Sequence, residues 1–248
     1  MTRIGIVGAT GRTGRYALAA VLRRGDCSLG AAIVSPGSSK LSHVVAETAL
    51  TYSSRLEDLA ECDVVIDFST PDVSGAVVEM CVAHRIALLV ATTGHSPSQL
   101  DTLRTHSARI PLALVPNTSL GAATLSLLAR EAKRMLGTDF DIEVMEIHHR
   151  MKRDAPSGTA LAVIEHIQGD SRVVFGREGQ RQADEVGVTS LRGGDVVGDH
   201  TVYFLGQGER VEITHRVSTR DVFGSGAVRL AMSLVGRAPG QYRVTDLL

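Results

Sequence analysis

The feature that most constrains this chain is its first turn. An apolar run, Arg3–Val7, passes directly into Gly8-Ala9-Thr10-Gly11-Arg12-Thr13-Gly14, and a helical pattern follows at once. Glycines let a backbone turn sharply and approach a bulky anion. The free N–H groups and dipole of a helix start favour negative charge at the same place. Strand, glycine loop and helix in that order predict a dinucleotide-binding unit, with Gly8, Ala9, Thr10, Gly11, Arg12 and Thr13 as phosphate contacts. The spacing is GxxGxxG, looser than GxGxxG. Its position at the first strand–helix turn therefore carries more weight than the glycines alone.

The next hundred residues repeat the theme. Apolar runs at Arg3–Val7, Leu29–Val34, Asp63–Phe68, Ile86–Val90 and Pro111–Val115 alternate with helical patterns at Thr13–Arg24, Pro71–Ala83, Pro97–His106 and Leu120–Leu136. Unbroken apolar runs suit strands covered on both faces, and the alternation predicts a doubly wound parallel sheet. After about Asn117 the pattern changes. A strand at Asp141–Ile147 leads into the polar segment His148–Thr159 and a helix at Ala160–Ile167. Strand patterns at Thr189–Arg192, His200–Leu205 and Arg210–Val217 follow, separated by glycine turns, before a helical stretch at Gly226–Leu234. In the last strand Val211, Ile213, His215 and Val217 share one face. The expected fold is α/β: a Rossmann-like doubly wound parallel sheet plus a smaller α+β domain with a mixed sheet. The expected boundaries are 1–118 with 220–248 for the first domain and 119–219 for the second.

Composition excludes several classes. Lys plus Arg number 26 against 27 Asp plus Glu, so no global charge favours nucleic acid or an anionic membrane. Five Phe and four Tyr are few for stacking bases. No 18-residue apolar run exists, and the opening residues lack a secretory pattern; a cytoplasmic protein is expected. Cys27, Cys62 and Cys81 form no CxxC pair and read as small reduced thiols, and His and Cys show no metal spacing.

The second strand ends Val34-Ser35, where an acid would bind a ribose 2′-hydroxyl and repel a 2′-phosphate. No acid occurs between Asp26 and Glu47. Ser35, Ser38, Ser39 and Lys40 either hold a 2′-phosphate or form a solvated loop, so NADPH is expected to serve at least as well as NADH. At the ends of the fourth and fifth strands, Ala91, Thr92 and Thr93, and Val115, Pro116, Asn117 and Thr118, either line the ligand crevice or are plain loop.

The densest chemistry is Glu146-Ile147-His148-His149-Arg150-Met151-Lys152-Arg153-Asp154-Ala155-Pro156-Ser157-Gly158-Thr159-Ala160. Adjacent histidines on a strand face opposite ways, so both cannot be core. Ser157 is placed to cap a helix, whose first amides, with Lys152, suit a carboxylate. Arg153 and Asp154 read as a local pair or turn cap, Asp67 as a strand end that organises a turn, and His215 as a core histidine.

This segment resembles the signature E-x-H-H-x-x-K-x-D-A-P-S-G-T-A of the dihydrodipicolinate reductase family. The resemblance continues through Gly8–Gly14, Ile66–Ser69, Thr92–Gly94, Arg192–Thr201, Glu212–His215 and Gly226–Arg229, covering the chain in order. It implies reduction of 4-hydroxy-tetrahydrodipicolinate by NADPH or NADH in lysine and diaminopimelate synthesis. It further implies His148 as proton donor, Lys152 as the cation that polarises substrate, and His149, Ser157, Gly158 and Thr159 as contacts to a small dicarboxylate. The second domain would bind substrate and assemble a homotetramer. Many relatives carry an acid at the position of Val34 and arginine at that of Ser35, and commonly glycine where Ala91 stands. The alternatives are a reductase of another small imine or carbonyl acid, or a non-catalytic dinucleotide sensor.

Overall fold

In a computed structural model, which describes residues 1–248, the chain divides into two units. The first begins with β1 (Thr2–Val7), α1 (Gly14–Leu22), β2 (Cys27–Ile33), a 3-10 turn at Leu56–Leu59, β3 (Val64–Asp67), α2 (Pro71–His84), β4 (Ala87–Val90), α3 (Pro97–His106) and β5 (Pro111–Leu114). The second holds α4 (Leu120–Leu136), β6 (Asp141–His148), α5 (Gly158–Ile167), β7 (Arg172–Phe175), β8 (Glu185–Arg192), β9 (Gly198–Leu205) and β10 (Arg210–Val217). The chain then returns to the first unit with α6 (Asp221–Met232), β11 (Gly240–Tyr242) and α7 (Val244–Leu247).

The first unit is a six-stranded parallel sheet in the order β11-β5-β4-β3-β1-β2. All four residues of β3 and of β4 are buried, as unbroken apolar strands under helices on both faces must be. Local signals set the helix ends. Ser96 and Gln99 form a reciprocal capping box at the start of α3, and Pro71 opens α2, where its missing N–H costs nothing. Helix α6 begins five residues before its expected start. Its first turns contain Gly224, a poor helix former by composition, which lies directly on the backbone of Tyr16 and Ala17 in α1, where any side chain would collide. Cys27, Cys62 and Cys81 are buried free thiols, and burial pushes Cys62 up to about 11.

The second unit is a mixed five-stranded sheet, β10-β9-β6-β8-β7, with β6, β8 and β7 parallel and β9 and β10 antiparallel. Burial in β6 alternates strictly, and Ile142, Val144, Glu146 and His148 form its inner face. Ile142 and Val144 join Leu125 and Ala129 of α4, Val163, Ile164 and Ile167 of α5, and Val186, Val188, Val202 and Phe204 in one core. Register sets Glu146 opposite Ser190 and His200, and His148 opposite Arg192. The inner face is therefore apolar at one end and polar at the other. His215 is half-buried on edge strand β10, packed over Gly121 at the start of α4.

Candidate active site

In the first unit the glycine loop lies where strand order reverses, at the carboxyl ends of β1 and β3. Gly8 has φ +77°, and a Cβ there would meet the Phe68 carbonyl. One on Gly14 would meet the Gly8 carbonyl. The amides of Gly8 and Ala9 donate to Ile33 O at 2.9 and 3.0 Å, and that of Gly11 to Gly8 O at 2.9 Å. The amides of Thr10, Arg12 and Thr13 have no backbone acceptor, which suits them to an anion. Beside them lies a cleft of ≈ 430 Å³ whose polar lining is Thr10, Arg15, Ser38, Ser39, Lys40 and Tyr52, with no acid. Val34 is buried, its N–H donating to Ser53 O at 2.8 Å. Ser35 is exposed and opens a turn closed by Ser38 N–H at 2.9 Å, while Ser38 Oγ accepts from Lys40 N–H at 3.2 Å.

A second cleft, of ≈ 270 Å³, is bounded by Thr92, Thr93, Gly94, His95, Arg104, Val115 and Pro116. Ala91 and Val115 are buried and tied by their amides to Asp67 O and Val90 O. The hydroxyls of Thr92 and Thr118 donate to Asp67 O and Phe223 O, and Asn117 Oδ1 accepts from Ser119 N–H. Thr93 is exposed. Asp67, fully buried, accepts from Ser69 N–H at 2.9 Å, Ser69 Oγ at 2.5 Å and Ser74 Oγ at 2.6 Å. It locks the β3–α2 turn.

In the second unit the polar end of the inner face is a connected cluster. Glu146 is fully buried. Arg192 grips it with two N–H···O bonds of 2.9 and 2.7 Å, Ser157 N–H donates at 3.2 Å, and His148 Nδ1 lies 2.5 Å from Oε2. Burial pushes this carboxyl up, but bonds from Arg192, Ser190 and His148 outweigh it and hold it down at about 2. Burial pulls His148 below its ordinary value, partly opposed by Glu146. The His200 ring stands edge-on to His148, with centroids 5.1 Å apart. Burial, then the His148 charge, lower His200 to about 4, so it is neutral.

His149 follows the strand and is half-buried; its carbonyl accepts from Lys152 N–H at 3.0 Å, closing a tight turn. Lys152 Nζ pairs with Asp154 at 2.9 Å. Arg153 and Asp154 were expected to form a local pair or a turn cap; the ion pair that Asp154 makes is with Lys152, because the turn brings position 152 back over 154. Burial raises the Asp154 carboxyl, and Lys152 more than reverses the shift. Ser157 caps α5, its Oγ accepting from Ala160 N–H at 3.1 Å and meeting His200 Nε2 at 2.9 Å. Its hydroxyl is thus engaged inside the fold, while Gly158 is exposed and Thr159 half-buried at the helix start.

Comparison with known proteins follows the same two-part layout. A family profile described as dihydrodipicolinate reductase, N-terminus, matches residues 2–118, and one described as dihydrodipicolinate reductase, C-terminus, matches residues 121–248. The chain belongs to the dihydrodipicolinate reductase family. It is 42% identical to the 4-hydroxy-tetrahydrodipicolinate reductase of Myxococcus xanthus, covering 100% of this chain and 98% of that one. It is 43% identical to that of Alkalilimnicola ehrlichii, with the same coverage. A dipicolinate-bound dihydrodipicolinate reductase from Paenisporosarcina sp. TG-14 shares the fold, with TM-score 0.80 and 23% identity over 98% of this chain and 97% of that one. Sequence reading assigned no role to Glu146, Arg192, Gly198 or His200. All four stand within segments that resemble this family; Glu146 shares the inner face of β6 with His148, while strand register brings the other three alongside.

Proposed function

We propose that the chain reduces 4-hydroxy-tetrahydrodipicolinate to tetrahydrodipicolinate, with loss of water, in lysine and diaminopimelate synthesis. The observation that carries this reading is the full-length membership of a family named for that reaction, together with an intact His148–Lys152 segment. When bound, a reduced nicotinamide dinucleotide supplies the hydride. The loop fits such a group through the amides of Thr10, Arg12 and Thr13 and the acid-free cleft beside them.

This chain's residues supply the rest. Lys152 binds a substrate carboxylate in exchange for Asp154 and stabilises the negative charge that builds on the reduced substrate. His149, Gly158 and Thr159 hold the carboxylates, while Ser157 shapes the helix start that presents the latter two. His148 donates the proton that the substrate then requires. Burial lowers His148, and the negative charge of an anionic substrate opposes that shift by favouring the protonated ring that donates. No metal is invoked.

For the cofactor, Arg15 and Lys40, with Ser38 and Ser39, line the ≈ 430 Å³ cleft. Two cations and no acid favour the 2′-phosphate, so NADPH should serve at least as well as NADH. The first unit is the dinucleotide-binding domain and the second binds substrate. A homotetramer in the cytoplasm completes the reading. The tetramer is supported by the outer face of the second sheet, where Leu191 of β8 is 44% exposed. No helix is long and apolar enough to cross a membrane.

The test is a coupled assay in which dihydrodipicolinate synthase product is supplied with NADPH or NADH and absorbance of the reduced cofactor is followed. Steady loss of absorbance supports the reading. No turnover with either cofactor refutes it, and turnover only with another imine or carbonyl acid favours the alternative reductase.

A further inference from the structure

We propose that Glu146, backed by Arg192, is a positioning residue for proton transfer, holding the His148 ring so that Nε2 is the atom that gives up the proton. The inference rests on the reading of His148 as donor and extends it to a residue assigned no role so far.

Glu146 is fully buried, where a lone carboxylate would be too costly to ionise. Its environment forces ionisation. Arg192 reaches both oxygens, at 2.9 and 2.7 Å, and Ser157 N–H adds a third bond at 3.2 Å. An ionised carboxylate can only accept. The 2.5 Å contact from Oε2 to His148 Nδ1 therefore requires the proton on Nδ1. Nδ1 is then committed in both charge states of the ring, and only Nε2 can exchange protons.

The surroundings agree with that division. A Cβ on Gly198 would lie 2.9 Å from Nε2, so this position keeps that edge of the ring clear. The groups that set the charge of His148 come from four directions. Glu146 on β6 stabilises the imidazolium. Arg192 on β8 and Lys152 in the following turn oppose it. His200 on β9 stands edge-on and stays neutral, tied to Ser157. Arg192 has a second effect: by holding Glu146 ionised, it prevents the carboxylate from taking the proton that the ring must deliver outward. In the step itself the Nε2–H bond breaks as a bond to the substrate carbanion forms. The ring is left neutral with Nδ1–H intact, and Nε2 is reprotonated from solvent.

The experiment is a double-mutant cycle between Glu146→Gln and His148→Gln, read as kcat, KM and the pH profile of kcat. Glu146→Gln alone should lower kcat by ~10²-fold, the scale of general acid catalysis, and leave KM within about threefold. Its basic limb should move to lower pH, because the ring loses the charge that stabilises its acid form. In the His148→Gln background, Glu146→Gln should have almost no further effect. Equal losses in both backgrounds, or an unmoved limb, overturn the proposal. A His148→Gln enzyme as fast as wild type instead removes His148 as donor, a separate failure.

A measurement on the unaltered protein keeps the proposal testable if Glu146→Gln does not fold. Side-chain ¹⁵N spectra should show His148 as the Nδ1–H tautomer when neutral, with Nε2 gaining the proton on acidification. A neutral Nε2–H tautomer contradicts it.

Discussion

Asp67 and Glu146 are both fully buried acids on inner strands, and each accepts at least three hydrogen bonds. They differ in what surrounds them. Asp67 is held by an amide and two hydroxyls from the following turn and helix, all within seven residues. Glu146 is held by an arginine 46 residues away and by a histidine on its own strand, both ionisable. Neutral local donors fix a backbone shape. Ionisable partners, one of them brought in from another strand, suit a carboxylate that holds a proton at a chosen atom. The lesson is that burial and hydrogen-bond number do not separate architecture from chemistry, whereas the charge and origin of the partners do.

The difference can be tested at decreasing scale. The largest effect is expected beside Glu146: Lys152→Ala should lower kcat by ~10²–10³-fold, through loss of one group that stabilises developing charge. Unchanged turnover would remove Lys152 from the chemistry. Next is acid lability of the second unit. His200 is held neutral down to about pH 4, whereas an unfolded histidine protonates near 6.5. The unfolded state therefore binds the extra proton first, and stability falls as pH drops from 6.5 to 4, by on the order of 3 kcal/mol. His200→Asn should flatten the fall in Tm across that window. An equally steep fall in the variant would show that another group is responsible.

Smaller again, and of opposite character, is Asp67→Ala. It should cost about 1–3 kcal/mol of stability by removing the acceptor shared by Ser69 N–H, Ser69 Oγ and Ser74 Oγ, while kcat stays within about twofold. Denaturant titration with kinetics on the same sample checks both parts. A large loss of kcat in a well-folded variant would erase the contrast. The smallest effect is at the rim of the cleft, where exposed Lys40→Ala should weaken NADPH by about two- to fivefold and leave NADH unchanged in calorimetry. Equal weakening of both would show that Lys40 does not read the 2′-phosphate.

The contrast also explains what the sequence revealed. Asp67 was legible as a turn organiser because its partners are local. The parallel sheet was legible because buried strands such as Val64–Asp67 are unbroken apolar runs. Strand β11 escaped notice because Gly240–Tyr242 is three residues of turn-like composition, ordered by pairing with β5. The start of β8 was missed for a related reason: Gly187 interrupts an apolar run that burial completes. In the candidate site, His148 and Lys152 stood out through the resemblance of Glu146–Ala160 to a family signature. Glu146 acquires its role only when register brings Ser190, Arg192 and His200 alongside β6, and no local pattern encodes that register.

The comparison is tested most directly by the pH profile of kcat measured side by side for wild type, Asp67→Asn and Glu146→Gln. The account predicts that the basic limb moves to lower pH in Glu146→Gln and stays at the wild-type position in Asp67→Asn. Limbs that move together, or a Glu146→Gln limb that does not move, would contradict it.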